Sequence, residues 1–139
     1  MERTYLPAHI RRQVRERARG RCEYCRSQLA YSPDPFVVEH IVPLVHGGTN
    51  DLANLACACG GCNGIKYAAI AAYDALTQTT VPLFHPREQN WHEHFTWSPD
   101  YTHILGLTAT GRATLDRLQL NRANVVNLRR VLRLAGEHP

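Results

Sequence analysis

The chain has one lysine, Lys66, against fifteen arginines, and one methionine. The aromatics are two Trp, three Phe and six Tyr in 139 residues. No apolar run approaches the roughly 18 residues that span a bilayer, which excludes a transmembrane helix. Residues 1–20 are rich in Arg and lack the apolar core of a secretory leader, so the expected location is cytoplasmic, with no membrane partner. No segment repeats, and none is of low complexity. The 44% hydrophobic fraction is that of a globular protein, and the length suits one modest core, so residues 1–139 are expected to form a single domain.

What is present begins with cysteine. A reducing compartment keeps thiols free, so five cysteines point to metal or chemistry rather than disulfides. Cys22 and Cys25 form one Cys-x2-Cys pair and Cys59 and Cys62 another. Tetrahedral zinc takes four soft ligands about 2.3 Å away, and two such knuckles supply them. Cys57 could stand in for Cys59, but Cys59-Gly-Gly-Cys62 has the knuckle spacing and the turn glycines, which favours Cys59. A closed four-thiolate site contributes folding energy and no open coordination position, so hydrolytic chemistry needs a second site.

The net charge of +4 is unevenly spread. Residues 1–27 hold eight arginines, Arg3 among them, against Glu2, Glu16 and Glu23. Residues 110–139 hold Arg112, Arg117, Arg122, Arg129, Arg130 and Arg133 against Asp116 and Glu137. Guanidinium forks match phosphate oxygens, so the two clusters together predict a nucleic-acid surface, although a solvated helix face explains any single arginine.

The pattern predicts a helix over 7–19, with Pro7 in its first turn, Ile10, Val14 and Ala18 on one stripe, and Gly20 at its C-terminal cap. A β-rich run at 36–42 ends at Pro43, a turn occupies 47–50, and 52–58 is extended. A helix follows from near Cys62 or Asn63 to about Leu76. Beyond it, Trp91 to Trp97 and His103 to Leu107 read as two strands joined at Ser98-Pro-Asp100. Thr110 caps a short helix reaching Leu118. Asn121 caps another, with Val125, Leu128, Val131 and Leu132 on its inner stripe. His92 and His94 are expected on the solvent face of their strand, opposite Trp91, Phe95 and Trp97.

Phosphodiester hydrolysis needs a base to activate water and positive charge at the phosphate. Histidine titrates near neutrality and suits the first task, and carboxylates are hard ligands for Mg2+ or Mn2+. Glu39-His40 offers both groups, although on a strand they point to opposite faces unless a bend intervenes, and an ordinary exposed pair is the plain reading.

The ordered set Cys22-x2-Cys25, Glu39-His40-Ile41-Val42-Pro43, Gly47-Gly48, Asn50-Asp-Leu52, Asn54-Leu55, Cys59-x2-Cys62-Asn63 and Lys66 resembles the zinc-knuckle branch of the HNH endonuclease family. Residues from Pro82 to Arg129 are similar to the C-terminal part of small stand-alone members. The resemblance implies an α+β fold with a ββα-metal core at 22–76, an N-terminal basic helix, and a C-terminal extension at 82–139 packed on that core. It implies structural Zn2+ on Cys22, Cys25, Cys59 and Cys62, and Mg2+ or Mn2+ on Glu39 and Asn63 for cleavage of DNA. His40 would be the general base, and Asn54 would hold the His40 loop and orient the imidazole. The start of the helix bearing Asn63 would turn its positive end to the phosphate. Lys66, with Arg11, Arg12, Arg15 and Arg19, would contact phosphates. Many members carry His where this chain has Asn63, which favours a hard ion over Ni2+ or Zn2+ at that position. The competing reading is a zinc-stapled, Arg-rich nucleic-acid-binding module whose nuclease site is degenerate. Nothing in the sequence identifies a recruiting protein.

Overall fold

The computed structural model describes residues 6–139, so Glu2 and Arg3 of the N-terminal charge cluster lie outside the described residues. Helix α1 (Ala8–Arg17) follows Pro7, whose φ of −59° is pre-set for a helix start. Val14 and Ala18 turn into the core, with Ile10 packed at its edge. The C-terminal end closes with Arg19 N–H on Glu16 O (3.0 Å) and Gly20 N–H on Arg15 O (3.1 Å). This is a Schellman pattern in which Arg19, not glycine, takes the left-handed C′ position at φ 55°.

The first knuckle is a tight turn in which Cys22 N–H reaches Ser27 O (2.8 Å) and Arg26 N–H reaches Cys22 O (3.0 Å). Strand β1 (Val37–His40) then pairs antiparallel with β2 (Leu55–Ala58), placing Glu39 opposite Ala56 and His40 opposite Leu55. Two short 3-10 turns, Leu44–His46 and Leu52–Asn54, lie in the connection. Helix α2 (Gly60–Lys66) follows directly. The order strand, loop, strand, helix is thus the expected one, and the fold is α+β.

Helix α2 is shorter than expected. Tyr67 takes φ 52° and ψ −116°, which no helix continues, and the chain turns into a hairpin of β3 (Ala71–Asp74) and β4 (Thr79–Pro82). Asp74, 1% exposed, organises that turn by accepting from the Thr77 amide (3.1 Å) and hydroxyl (2.6 Å), while Arg112 binds it at 3.0 and 3.1 Å. A part-buried ion pair and a strand ladder override the helix propensity of the alanines.

Trp91–His94 is likewise a helical turn, α3, rather than strand, because the Asn90 side chain caps it by accepting from His92 N–H (3.0 Å). Strands β5 (Phe95–Trp97) and β6 (Ile104–Gly106) form the expected second hairpin. Helix α4 (Ala109–Arg117) is capped by Thr108, whose hydroxyl accepts from Gly111 N–H (3.0 Å), and not by Thr110. Helix α5 (Ala123–Leu134) has Arg122 at its N-cap position. Asn121 instead uses its amide on the backbone of Ile104, accepting at 2.8 Å and donating at 2.8 Å. The inner face of α5 carries Val125, Val126, Arg129 and Leu132, and Val131 is exposed.

One apolar cluster draws on both ends of the chain. It joins Val14, Tyr24 and Leu55 to Phe84, Trp91, Phe95, Ile104, Leu118, Leu120 and Val125. Burying each large side chain stabilises by about 2–3 kcal/mol, so the residues after β4 are a large part of what holds β1, β2 and α2 in place.

Candidate metal centre and hairpin site

The sulphurs of Cys22, Cys25, Cys59 and Cys62 all lie within 4.8 Å of one another, and Cys25 and Cys59 are 3.7 Å apart. A tetrahedron with 2.3 Å metal–sulphur bonds needs sulphurs about 3.8 Å apart. The donor set and spacing therefore fit zinc. The first knuckle brings two thiols from its turn. The second opens α2, where the Cys59 sulphur accepts from Cys62 N–H (3.4 Å) and so closes the helix end expected to face phosphate. Hydrogen bonds from Cys22, Cys25 and Cys62 hold the Cys59 thiol far below its usual range, and the Cys22 contact holds Cys25 down to about 7. Burial pushes Cys22 up. Cys57 stays apart on β2, opposite Val38, and burial raises its thiol to about 11, which is the behaviour of a packed apolar side chain.

Glu39 and His40 have different surroundings, as alternation along a strand requires. Glu39 is 4% exposed. Its Oε2 accepts from the Tyr24 hydroxyl at 2.5 Å, and its Oε1 meets Lys66 Nζ at 2.5 Å. The Oε1 contact is an ion pair without the alignment of a hydrogen bond. Lys66 also donates to Ile41 O at 2.9 Å and is 1% exposed. This corrects the expected phosphate contact: a buried ammonium must be paired, and Lys66 is paired within the protein.

The same pair bears on Glu39 as a metal ligand. Both carboxylate oxygens are engaged, and among the described residues the four cysteines are the one group of three or more His, Cys, Asp or Glu placed to hold an ion. Glu39 as arranged does not fit a divalent ion while Lys66 remains. Asn63 lies in the first turn of α2, one turn before Lys66, half-buried and without a side-chain partner among the described residues.

His40 is half-buried, and its Nε2 lies 2.7 Å from Asn50 Oδ1. With Asn50 accepting, Nε2 carries the proton and Nδ1 is left as the acceptor. The orienting bond expected of Asn54 is made instead by Asn50, which reaches back from the turn at 47–50. Asn54 has the other half of the expected role. Its Oδ1 accepts from Val42 N–H (2.9 Å), and its Nδ2 donates to Val42 O (3.0 Å) and Thr49 O (2.8 Å). The loop also needs Gly48, where a Cβ would sit 1.7 Å from Val42 O.

The arginines divide. Arg112 pairs with Asp74, Arg117 donates to Ile65 O (2.5 Å), and Arg133 lies 4.3 Å over Tyr101. Arg129, 3% exposed, donates to the carbonyls of Thr102, Cys25 and Leu120 at 2.7–3.1 Å. The C-terminal cluster is therefore largely internal bracing, a correction to the nucleic-acid surface expected there. Arg11, Arg12, Arg15 and Arg19 are exposed. At the C-terminal end of α1, a cavity of about 410 Å³ is lined by Arg17, Arg19, Arg21, Arg26, His92 and Trp97, among others. Glu23 beside it is ion-paired with Arg87. The histidines after β4 form no metal cluster among the described residues: His92 is exposed and His94 Nδ1 bonds Thr108 (2.6 Å).

Residues 22–68 match the family model described as HNH endonuclease. The match runs from the first knuckle through β1, β2 and α2 and covers about a third of the chain. This segment is similar to an HNH domain, and its four cysteines fit a zinc site. No curated protein and no solved structure matches the chain. No helix among the described residues is long and apolar enough to cross a membrane.

Proposed function

We propose that the chain is an endonuclease that hydrolyses phosphodiester bonds in DNA, with His40 as general base. The observation that carries this reading is the fixed imidazole: Asn50 holds Nε2, so the lone pair of Nδ1 is available for a water proton. Nδ1 takes the proton, the water oxygen bonds to phosphorus, and the bond to the 3′ oxygen breaks, that oxygen leaving with the bonding pair and taking a proton from solvent. A positioned base of this kind contributes about 10²–10⁴-fold. Asn54 keeps the loop after β1 in register, so it acts as a positioning residue. Arg11, Arg12 and Arg15 on α1, with Arg19 just beyond it, supply sequence-independent phosphate contacts.

Hydrolysis by this family generally uses a divalent ion. Mg2+ or Mn2+ on Glu39 and Asn63 is the expected arrangement, and it requires the Lys66 ammonium to leave Glu39. The second reading, a zinc-stapled nucleic-acid-binding module without turnover, is favoured by that same ion pair.

One experiment separates them. Nicking of supercoiled DNA is followed with Mg2+, Mn2+ or neither, for the wild type and for His40→Ala. The endonuclease reading expects activity that collapses in His40→Ala while zinc content, melting temperature and DNA binding persist. Equal cleavage by the variant would sink the base assignment. DNA binding without cutting under every condition would leave the binding module.

A further inference from the structure

We propose that Arg122, from outside the HNH-type segment, is an integral charge partner of the four-thiolate zinc centre. Its guanidinium donates from Nη1 to Cys62 Sγ at 3.5 Å, and from Nη2 to Cys59 Sγ at 3.5 Å and Cys62 Sγ at 3.6 Å. One fork thus spans both ligands of the second knuckle.

Three observations support a built contact rather than a chance approach. Arg122 is the residue preceding α5, and Nη1 also donates to Gln119 O (3.3 Å), so the side chain is steered from its own turn. Gly61 leaves the room: a Cβ there would lie 2.6 Å from Arg122 Nη2 and 3.2 Å from its Cζ. Gly61 lies within α2, where alanine is the better helix former, so the helix itself has no use for a glycine at this position. Thirdly, a neighbouring guanidinium, Arg129, donates to Cys25 O at 3.1 Å, so the same helix braces the first knuckle as well.

The chemistry gives the contact its purpose. A divalent ion held by four thiolates carries a net charge of about −2 and is shielded from water by burial. N–H donors to the sulphurs draw off part of that charge and lower the nucleophilicity of the thiolates. Arg122 therefore protects the bound zinc from electrophiles and oxidants. By linkage, zinc loading and docking of the segment around α5 stabilise each other.

The test uses the full zinc-loaded chain. Zinc release on treatment with N-ethylmaleimide is followed with a colorimetric chelator for wild type, Arg122→Gln, Arg122→Lys and Gly61→Ala. Arg130→Gln, an exposed position on α5, is the control. Release is expected to be on the order of tenfold faster in Arg122→Gln and intermediate in Arg122→Lys. Gly61→Ala keeps the arginine and favours the helix, yet it displaces the guanidinium, so it too should release zinc faster. It decides the matter if Arg122→Gln does not fold. In cobalt-substituted protein the thiolate-to-metal charge-transfer band should move to lower energy in Arg122→Gln and Gly61→Ala. Release rates and band positions equal to those of the control would overturn the proposal. Neither readout depends on DNA cleavage, so the outcome is independent of the endonuclease reading.

Discussion

The two ends of helix α2 belong to sites that obtain their positive charge differently. At its start, Cys59 and Cys62 join Cys22 and Cys25 in a set of sulphurs spaced for an ion, with the Arg122 guanidinium donating to Cys59 and Cys62. At its end, Lys66 meets Glu39 inside the protein. The thiolate centre needs a cation from solution to be whole, and the hairpin site carries a cation on its own chain. A thiolate set that fits zinc and an internally paired carboxylate thus share one seven-residue helix. Loss of zinc should nevertheless disturb both, because Cys62 and Asn63 are adjacent.

The largest expected effect breaks the comparison at the thiolate end. Stripping zinc, or Cys59→Ser, removes a contribution on the order of 10 kcal/mol. Near-UV circular dichroism should then report loss of tertiary structure. A metal-free chain that keeps its native spectrum would show that the centre is not a staple.

Next is Lys66→Met, which leaves a buried carboxylate unpaired at a cost of about 3–5 kcal/mol. The double variant Glu39→Gln/Lys66→Met should recover much of that in chemical denaturation. Electron paramagnetic resonance should find Mn2+ bound more tightly to Lys66→Met than to wild type, and not in the double variant. Equal Mn2+ affinity with and without the ammonium would refute the internal cation.

Smaller effects sharpen the division within the hairpin. Asn54→Ala deletes three hydrogen bonds and should cost about 2–3 kcal/mol. Asn50→Ala should leave the melting temperature nearly unchanged and reduce cleavage roughly tenfold by freeing the imidazole. The reverse ranking would exchange their roles.

The smallest effect is a pH dependence. Hydrogen bonds from Arg112, then Thr77, hold the Asp74 carboxyl well below its ordinary value. A depressed folded value means stability that is fully present above the ordinary carboxylate range and lost as pH falls through the folded value. The melting-temperature gap between wild type and Asp74→Asn should therefore be widest near neutrality and narrow below about pH 4. A gap that does not change with pH would mean that the Arg112 contact contributes no ionic stabilisation.

Legibility followed the range of the interactions involved. Both knuckles, the choice of Cys59 over Cys57, the hairpin around the turn at 47–50 and the start of α1 rest on neighbours within a few residues. Their spacing and turn chemistry were readable directly. The end of α2 was misread because Asp74 finds Arg112, 38 positions later, and that pair holds a hairpin where alanines alone favour helix. Val131 is exposed because Arg129 takes the inner face of α5, a burial that hydrophobic periodicity does not show. Trp91 is buried as expected, but in a helical turn, because the local cap at Asn90 outweighs the apparent strand alternation. Asn50 stood in plain view within the motif, but nothing local distinguishes it from Asn54.

The sequence by itself determined which residues are chemically able to bind zinc, act as base and carry charge, and in what order they enter a strand–loop–strand–helix unit. Tertiary structure alone decided which charges meet. It turned Lys66 inward to Glu39, set Asn50 on His40, and brought Arg122 across the chain to Cys59 and Cys62. A buried charge settles on the partner that packing puts within reach, and packing between distant segments has no local signature.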